Sequence, residues 1–441
     1  MPNSQPVITR IAPSPTGFLH IGTARAALFN YLFAKKHGGQ FILRIDDTDK
    51  ERSTQEFSDN IVASLDWLNL TYDNIYRQSE RSILYREKLE ELISQDKAYI
   101  SKEAVLKEGD RDEVIRFRNP GTIVTFEDLV HGPITFDTTE LGDFVIAKDL
   151  DNPLYHFASV VDDIDLNISH VIRGEDHISN TPRQILMLEA LGGTRPTYAH
   201  IPLILAPDRS KLSKRHGAVA VTSYRTEGYL PEAFINFMAL LGWSPQASTS
   251  TTEGTNEEIF KLDELVKRFD IAAIQKSGAV FNIEKLQWLN REYLKLKPAA
   301  EMQTAIKQYL PIGRLTEAQI GIISKILLDR ISTIHEVEHI WSSGEFDFLL
   351  TTPQPSKELL KTTEHLTGLI ELLQTTVENN FTAENIKTIV WDFATEKGRG
   401  NVLWPMRVAL TGQEKSPDPF TVAELLGKDE TISRLTYANQ Q

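Results

Sequence analysis

The sequence predicts an α/β fold for the first half of the chain and helical domains for the second half. Two short β-branched runs, 7–11 and 41–46, flank a stretch from 23 to 37 that has the apolar spacing of a helix. Such a β–α–β unit implies parallel strands with a right-handed crossover. Strand and helix patterns alternate again over 165–220, whereas long amphipathic helices prevail after about residue 225.

The order of these segments predicts a split α/β domain that is interrupted by a smaller α/β insertion. Strand-like pieces at 114–118 and 144–147 lie in the insertion, and the Ser-, Thr- and Gly-rich stretch 246–258 is expected to be an exposed loop. Long helices are expected at 231–241 and 320–341. The predicted domains are 1–96 and 166–225 for the two halves of the α/β domain, 97–165 for the insertion, and 226–310 and 311–441 for two helical domains.

Composition and charge limit the classes of function. The chain has 441 residues, no cysteine and a net charge of −14. The lack of cysteine excludes disulfides, Fe–S clusters, thiol catalysis and cysteine-based zinc sites. No apolar run reaches the roughly 20 residues of a membrane span, and the N-terminus has no signal-peptide pattern, so we expect a cytoplasmic protein. The acidic charge argues only weakly against nucleic acid as a partner, because basic residues can be concentrated on one face.

The loop between the first strand and the first helix has the features of a phosphate site. It runs from Pro13 to Thr23, at the carboxyl end of a strand, where open α/β sheets bind ligands. Backbone N–H groups at a helix N-terminus suit a phosphate, Gly22 permits close approach, and His20 can add a hydrogen bond. A plain strand-to-helix turn with a surface histidine would explain this segment equally well when it is taken alone.

A basic loop at 211–217 is the second candidate for phosphate chemistry. It places Lys211, Lys214 and Arg215 around the small Ser213. Lysine ammonium groups can neutralise the charge that develops on a transferring phosphate. Taken alone, an exposed basic loop without catalytic function is the simpler interpretation.

Together the two loops resemble the paired signatures of the class I aminoacyl-tRNA synthetases, and in particular their bacterial glutamate branch, the glutamate–tRNA ligases. The signature segments are His20-Ile21-Gly22-Thr23 and Lys211-Leu212-Ser213-Lys214-Arg215. Matching segments recur from about residue 7 to residue 412. The resemblance implies a Rossmann-like catalytic domain with an inserted α/β connective domain that contacts the tRNA acceptor end. All-α stem-contact and anticodon-binding domains would follow.

The resemblance also implies a two-step reaction that uses ATP with Mg²⁺. L-Glutamate and ATP would form glutamyl-adenylate and pyrophosphate, and the acyl group would then pass to the 3′ end of tRNA(Glu) with release of AMP. The implied catalytic residues are His20, Lys211 and Lys214. The implied ATP-binding residues are Gly17, His20, Gly22, Thr23, Lys211, Leu212, Ser213, Lys214 and Arg215, and the implied glutamate-binding residues are Arg10, Ala12, Ser14, Asp46, Tyr155, Ser159 and Arg173.

Individual roles in the glutamate site follow from the same resemblance. Arg10 and Arg173 would bind carboxylate, because arginine can bind a carboxylate through two parallel hydrogen bonds. Tyr155 would contact the side-chain carboxylate of glutamate. Ser14 and Asp46 would hold the ammonium group. Many relatives have Glu where this chain has Asp46, so a longer or water-bridged contact is expected here.

The insertion departs from many bacterial relatives, which bind zinc there through cysteines. The short segment 100–113 contains no cysteine, so we expect no structural zinc. Arg116 and Arg118 either help to hold the tRNA acceptor end or are ordinary basic residues of an exposed strand. Asp47 and Asp49 are expected to cap local structure rather than to bind metal.

Three alternative functions are open at this point. An enzyme that glutamylates a modified tRNA base would resemble only the catalytic half of the chain. A carboxylate–amine ligase of the same fold would not need the helical half, and an inactive tRNA-binding paralogue would not need His20, Lys211, Lys214 and Arg173. The sequence does not decide whether tRNA(Gln) is a second substrate. A monomer without membrane attachment is the expected state.

Overall fold

The computed structural model describes residues 6–103, 112–213, 215, 220–245, 258–311 and 313–441. The chain divides into two compact units, 1–290 and 291–441. Among the described residues, no helix is long and apolar enough to cross a membrane.

The first unit begins with the predicted β–α–β arrangement. It consists of β1 (Ile8–Ile11), α1 (Ile21–Lys36) and β2 (Gln40–Ile45). β1 pairs in parallel with β2, and β3 (Asn74–Arg77) pairs in parallel with the other side of β2. The expected strands, helix and parallel pairing are therefore confirmed. Two helices flank β3 in the chain, α2 (Gln55–Trp67) before it and α3 (Ser82–Ser94) after it.

α1 is buried on most of its surface, which explains why its sequence is apolar almost all round. The Phe29 ring lies 5.2 Å from the Phe269 ring, between centroids. On the same helix, Asn30 Nδ2 donates to the carbonyl oxygen of Ile172 at 2.9 Å. This contact fixes α1 against a strand that lies far from it in the sequence.

The middle of the unit contains two antiparallel arrangements. The elements are β4 (Ala98–Lys102), β5 (Glu113–Phe117), β6 (Ile123–Asp128), β7 (Gly132–Asp137) and β8 (Phe144–Ala147). β4, β5 and β8 form one antiparallel sheet, and β6 and β7 form a hairpin. The strands expected at 114–118 and 144–147 are confirmed as β5 and β8.

The chain then returns to parallel strands, as the sequence predicts. The elements are α4 (Tyr155–Asp165), β9 (His170–Gly174), α5 (Thr181–Ala190) and β10 (Thr197–Ile201). β9, β10 and the β6–β7 hairpin form one sheet, in the order β7-β6-β10-β9. Ser169 N donates to the carbonyl oxygen of Ile8 at 3.0 Å, so this sheet adjoins the first one where β1 and β9 begin. The carboxyl ends of β1, β2, β9 and β10 consequently face the same edge.

Short elements and helices complete the first unit. They are β11 (Ile204–Leu205), α6 (Val221–Thr226), α7 (Pro231–Leu240), α8 (Leu262–Arg268), β12 (Ala279–Val280) and α9 (Ile283–Leu296), the last of which runs into the second unit. β11 pairs in parallel with β12. The helix expected at 231–241 is confirmed as α7, whereas 246–257 of the expected loop lies outside the described residues.

The described part of the second unit contains helices but no strand. They are α10 (Ala299–Lys307), α11 (Glu317–Leu328), α12 (Glu336–Ser342), α13 (Lys357–Leu360), α14 (Leu366–Gln374), α15 (Ala383–Lys397), α16 (Arg399–Thr411), α17 (Pro419–Leu426) and α18 (Lys428–Asn439). The single helix expected at 320–341 is wrong, because α11 and α12 are separate. The Glu336 carboxylate accepts from the backbone N–H groups of Ser332 and Thr333, at 3.1 and 3.2 Å. These two N–H groups, which lie between the helices, thus donate to a side chain instead of to helical backbone acceptors.

The carboxylate of Asp162 attaches α4 to the segment around α3. It is fully buried and accepts from Gln78 Nε2 at 2.8 Å, from Arg81 Nε at 2.7 Å and from Tyr85 Oη at 2.9 Å. Its neighbour Asp165 also accepts from Arg81, at 2.6 Å, but its side chain is about half exposed. One arginine therefore pairs with a buried and with an exposed carboxylate.

This difference in burial gives a prediction for stability. We expect Asp162→Ala to lower the free energy of unfolding by about 3–5 kcal/mol, because it leaves buried donors and part of a buried ion pair without an acceptor. The matched variant Asp165→Ala should lower it by less than about 1 kcal/mol, since water replaces the lost contact. Urea denaturation of the full chain measures both. Equal losses in the two variants would contradict this account of Asp162.

Candidate active site

The first predicted phosphate loop meets the segment that follows the basic loop. His20 caps α1, and its Nδ1 accepts from the backbone N–H of Gly22 at 3.0 Å. The backbone of His20 also forms a β-bridge with Ala220, and Val221 N donates to the carbonyl oxygen of Leu19 at 2.9 Å. The first loop thus lies next to the segment that follows the basic loop, although the two are far apart in the chain.

The basic loop is anchored by backbone contacts and keeps its described cations at the surface. Leu212 is buried, and its N–H donates to the carbonyl oxygen of Ile204 at 3.0 Å. Lys211 Nζ lies 3.0 Å from Asp176 Oδ2, and Arg215 is exposed. Ser213 is half-buried, as are Gly17 and Thr23 of the other loop, whereas Lys214 lies outside the described residues.

Two arginines and two aspartates form a buried ionic cluster below the carboxyl ends of β1 and β2. Arg10 donates through Nε and Nη2 to both oxygens of Asp163, at 3.1 and 3.2 Å. Arg44 donates through the same two atoms to Asp46, at 2.7 and 3.0 Å, and through Nη1 to Asp163 at 2.7 Å. Both guanidinium groups are thereby held in fixed orientations.

The two arginines differ in how many of their N–H groups are occupied. Arg44 uses Nε, Nη1 and Nη2, and its Nη2 also donates to Ser159 Oγ at 3.0 Å. Arg10 uses only its Nε–Nη2 edge, and its Nη1 has no partner among the described residues. Arg44 is therefore saturated by the protein, whereas Arg10 retains donors for a ligand.

Burial and charge oppose each other at Asp46. Burial raises the pKa of Asp46 to about 6, while the Arg44 guanidinium acts in the opposite direction. The pKa of Arg44 is raised well above its usual value, because attraction by Asp46 and Asp163 outweighs burial. At neutral pH the pair is ionised on both sides. A carboxylate with two accepted hydrogen bonds still has lone pairs for a third donor.

Arg173 at the end of β9 is buried without an acidic partner. Its Nε donates to His200 Nε2 at 3.2 Å and its Nη2 donates to Thr181 Oγ1 at 2.8 Å. Among the described residues, no carboxylate lies within ion-pair distance of this guanidinium. Burial lowers the pKa of Arg173, because the charged form loses water. An uncompensated buried cation is costly, so this site favours an anionic ligand.

Tyr155, at the start of α4, lies among these groups. Burial raises the pKa of its phenol, and Arg173, Asp46 and Arg10 all act on it electrostatically. Ser159, one turn further along α4, is buried and accepts from Arg44. The structure therefore brings five of the predicted glutamate-binding residues to one site: Arg10, Asp46, Tyr155, Ser159 and Arg173.

The other two predicted glutamate-binding residues lie in the loop after β1. Ala12 is half-buried and Ser14 is exposed. The carbonyl oxygen of Ser14 accepts from Thr16 N at 2.9 Å.

Taken with the phosphate loop, the arrangement offers free donors on Arg10 and Arg173, the Asp46 carboxylate and the Tyr155 phenol. A small ligand with anionic and cationic groups fits this chemistry, next to a loop that suits phosphate.

The remaining candidates make contacts within the protein. Arg116 Nε donates to Glu103 Oε1 at 2.8 Å, and Arg118 Nε donates to Asp96 Oδ1 at 3.1 Å. Asp47 accepts from the N–H and the hydroxyl of Ser79, and Asp49 accepts from Arg52. These contacts agree with capping roles for the two aspartates. Within the described ranges, no group of three or more His, Asp or Glu side chains could hold a metal ion.

Several residues of the site were missed by sequence reasoning. The sequence pattern places Arg44 in a strand without indicating its role, although an arginine inside an apolar strand has to find a buried partner. The adjacent acids Asp162 and Asp163, on an otherwise apolar stretch, carried the complementary signal. Asp128 and His200 gave no recognisable signal, because they lie on different strands and only the fold brings them together.

Comparisons with known proteins show which family the chain resembles. The family model for the catalytic domain of class I tRNA synthetases (E and Q) matches residues 6–108 and 100–288, and an anticodon binding domain model matches 292–439. A glutamate–tRNA ligase of Thermodesulfovibrio yellowstonii is 40% identical over 469 residues, which cover 97% of this chain and 98% of that protein. One of Nitrosomonas europaea is 41% identical over 466 residues, with coverages of 97% and 98%.

Solved structures give the same result. The crystal structure of a glutamate tRNA ligase from Elizabethkingia meningosepticum, in complex with its amino acid, has a TM-score of 0.86 and 32% identity, and the match covers 99% of this chain and 100% of that one. A glutamate-tRNA synthetase from Elizabethkingia anophelis has a TM-score of 0.85, 32% identity and the same coverages.

The unequal occupation of Arg10 and Arg44 predicts unequal effects on stability. Arg44→Met should lower the free energy of unfolding by about 3–5 kcal/mol, because Asp46 then loses its buried partner. Arg10→Met should cost clearly less, since Asp163 remains paired with Arg44. Urea denaturation of the two variants, which are matched in side-chain volume, measures the difference. A larger loss for Arg10→Met would show that Arg44 is not the structural member of the cluster.

Proposed function

This chain belongs to the class I tRNA synthetases of the glutamate and glutamine type, and from that membership we propose that it is a glutamate–tRNA ligase. It attaches L-glutamate to tRNA(Glu) in two steps. Glutamyl-adenylate forms first, and the acyl group then moves to the 3′ end of the tRNA. Relatives that carry this name match the chain over 97% of its length. The anticodon binding domain model covers most of the helical second unit, which an enzyme without a tRNA substrate would not need.

Arg173 is the main support for glutamate as the amino-acid substrate, because this buried cation has only neutral hydrogen-bond partners among the described residues. A carboxylate of glutamate would supply the missing negative charge and accept the remaining N–H groups. The free Nη1 of Arg10 would bind carboxylate in the same way. Glutamate has two carboxylates, so it can use both guanidinium groups at once. A neutral amino acid side chain would leave one of them unpaired, at a cost that favours glutamate.

The other polar groups fit the rest of the substrate. Tyr155 would donate a hydrogen bond from its hydroxyl group to the side-chain carboxylate. The ammonium group would approach Asp46 through the lone pairs that Arg44 leaves free, with Ser14 as a second acceptor. Asp46 is fixed by Arg44, so this contact is positioned before the substrate binds. Ala12 and Ser159 would border the substrate, and Ser159 would also hold Arg44 in place.

The adenylation step would take place between the two loops. An oxygen of the glutamate α-carboxylate attacks the α-phosphorus of ATP, the new P–O bond forms, and pyrophosphate leaves. His20, Lys211 and Lys214 would bind the phosphates, with Gly17, Gly22, Thr23, Leu212, Ser213 and Arg215 shaping the ATP site. Mg²⁺ would enter bound to the ATP phosphates, whose charge it offsets. No protein nucleophile is required, because positioning and charge stabilisation suffice.

Transfer to tRNA requires surfaces beyond the catalytic domain. A ribose hydroxyl at the 3′ end attacks the carbonyl carbon of the adenylate, and AMP leaves as the ester forms. We assign the acceptor end to the zinc-less insertion 97–165, the stem to 226–310 and the anticodon to 311–441. Arg116 and Arg118 would contact the acceptor end after exchanging their present partners, Glu103 and Asp96. The expected setting is a monomer in the cytoplasm.

The first test is aminoacylation with radiolabelled glutamate, ATP and Mg²⁺, using tRNA(Glu) and tRNA(Gln) transcripts in parallel. We expect charging of tRNA(Glu), and the second transcript shows whether the enzyme discriminates between the two. Refusal of both transcripts, and of natively modified tRNA, would instead support an inactive paralogue or a ligase that does not use tRNA.

The assignment of Lys214 has its own test. Lys214→Ala should reduce adenylate formation by about 10²–10³-fold, because a cation that stabilises the transferring phosphate is lost. Filter binding of tRNA should change little, since this lysine serves ATP. Pyrophosphate exchange in the presence of tRNA measures the first quantity, and Lys267→Ala on α8 is a control for loss of one positive charge. Normal exchange in Lys214→Ala would remove Lys214 from the ATP site.

A further inference from the structure

A buried chain of three polar side chains runs from the β6–β7 hairpin to Arg173. Asp128, His200 and Arg173 are 3%, 0% and 7% exposed. Asp128 Oδ1 accepts from the backbone N–H groups of Val130 and His131, each at 2.9 Å. Asp128 Oδ2 accepts from His200 N at 3.0 Å and lies 2.6 Å from His200 Nδ1. The carboxylate is therefore fixed by the backbone and in turn fixes the imidazole ring.

These contacts determine where the proton of His200 lies. Burial acts to raise the pKa of Asp128, but hydrogen bonds from His200 and from backbone N–H groups hold this pKa below its usual value. Burial lowers the pKa of His200, and the contact of its Nε2 with Arg173 Nε, which can only donate, requires a neutral imidazole. An ionised carboxylate only accepts hydrogen bonds, so Nδ1 carries the proton. Nε2 is then an acceptor, and it faces Nε of Arg173, which can only donate.

The second partner of Arg173 is also a neutral acceptor. Thr181 is fully buried, and its Oγ1 accepts from Arg173 Nη2 at 2.8 Å while lying 3.1 Å from the carbonyl oxygen of His177. His200 and Thr181 thus occupy the Nε–Nη2 edge of the guanidinium. The Nη1 atom has no partner within the described part of the chain. Arg10 and Arg44 turn the same Nε–Nη2 edge to carboxylates, which offset their charge.

We propose that His200, held by Asp128, and Thr181 are positioning residues for Arg173, which fix its Nε–Nη2 edge and present Nη1 to a carboxylate of glutamate. This inference rests on the proposed function and adds to it. Because both acceptors are neutral, Arg173 keeps its full charge for the substrate. Asp128 orients the His200 ring, and this ring lies between the Asp128 carboxylate and the Arg173 guanidinium. A carboxylate in the place of His200 would orient Arg173 equally well but would compete with glutamate for it.

Two substitutions at His200 separate these contributions. The side-chain amide of His200→Asn occupies the position of Nδ1 and can still contact Asp128, but nothing reaches the position of Nε2. The longer side chain of His200→Gln can place an oxygen near the Nε2 position. We expect His200→Asn to raise the KM for glutamate by about tenfold or more, with kcat and the KM for ATP nearly unchanged. His200→Gln should recover part of this loss.

Controls distinguish positioning from general damage to the fold. His170→Asn, on the same sheet at the start of β9, should leave the KM for glutamate unchanged. Thermal unfolding of each variant reports folding, and if His200→Asn does not fold, Thr181→Val carries the test with the same expected direction. A folded variant with unchanged KM for glutamate, or with equal changes in the KM values for glutamate and ATP, would overturn the proposal. Failure of the wild-type chain to charge any tRNA with glutamate would instead contradict the proposed function.

Discussion

The ionic cluster around Arg44 is the interaction on which the proposed glutamate site depends. One fully buried guanidinium lies 2.7 Å from the carboxylate that directly follows its own strand, 2.7 Å from one on α4, and 3.5 Å from a second carboxylate of α4. Buried charges are tolerated only with well-placed partners, so loss of one member leaves another uncompensated. The cluster therefore fixes β2 and α4 relative to each other. It also fixes the groups of the proposed glutamate site that these two elements carry.

The same residue type serves two purposes in this site, and hydrogen-bond occupancy separates them. Arg44 has each of its nitrogen atoms engaged by the protein, so it stabilises structure. Arg10 and Arg173 are held by one edge only, which leaves rigid donors that need no reorganisation when a ligand arrives. Arginine can serve both purposes because its planar guanidinium group has two edges of N–H donors. A lysine that is held by one carboxylate has no second set of donors in a fixed orientation.

The sequence alone predicted the β–α–β start, the parallel pairing and most of the proposed site, because these features follow from local patterns and from motif resemblance. It failed at the break between α11 and α12 and where distant residues interact. At the break, the Glu336 carboxylate accepts from two nearby backbone N–H groups, while apolar residues continue across it. The pairing of Asp128 with His200 joins two strands that are parallel neighbours at only one register position, Tyr198 opposite Asp128. No spacing rule connects such residues, so the structure was needed to find them.

Burial divides the proposed active site into two parts with different physical properties. The charged groups for the amino acid, Arg10, Asp46 and Arg173, are buried on or directly after strands, where small displacements are resisted and an unpaired charge is penalised strongly. The described cations for ATP lie in exposed loops, and the Lys211–Asp176 pair has side chains that are 62% and 45% exposed. Such a pair contributes little to stability, so Lys211 can exchange Asp176 for a phosphate at little cost. Selection among similar amino acids needs the buried part, whereas a triphosphate, which carries several negative charges, can be bound by cations in the exposed part.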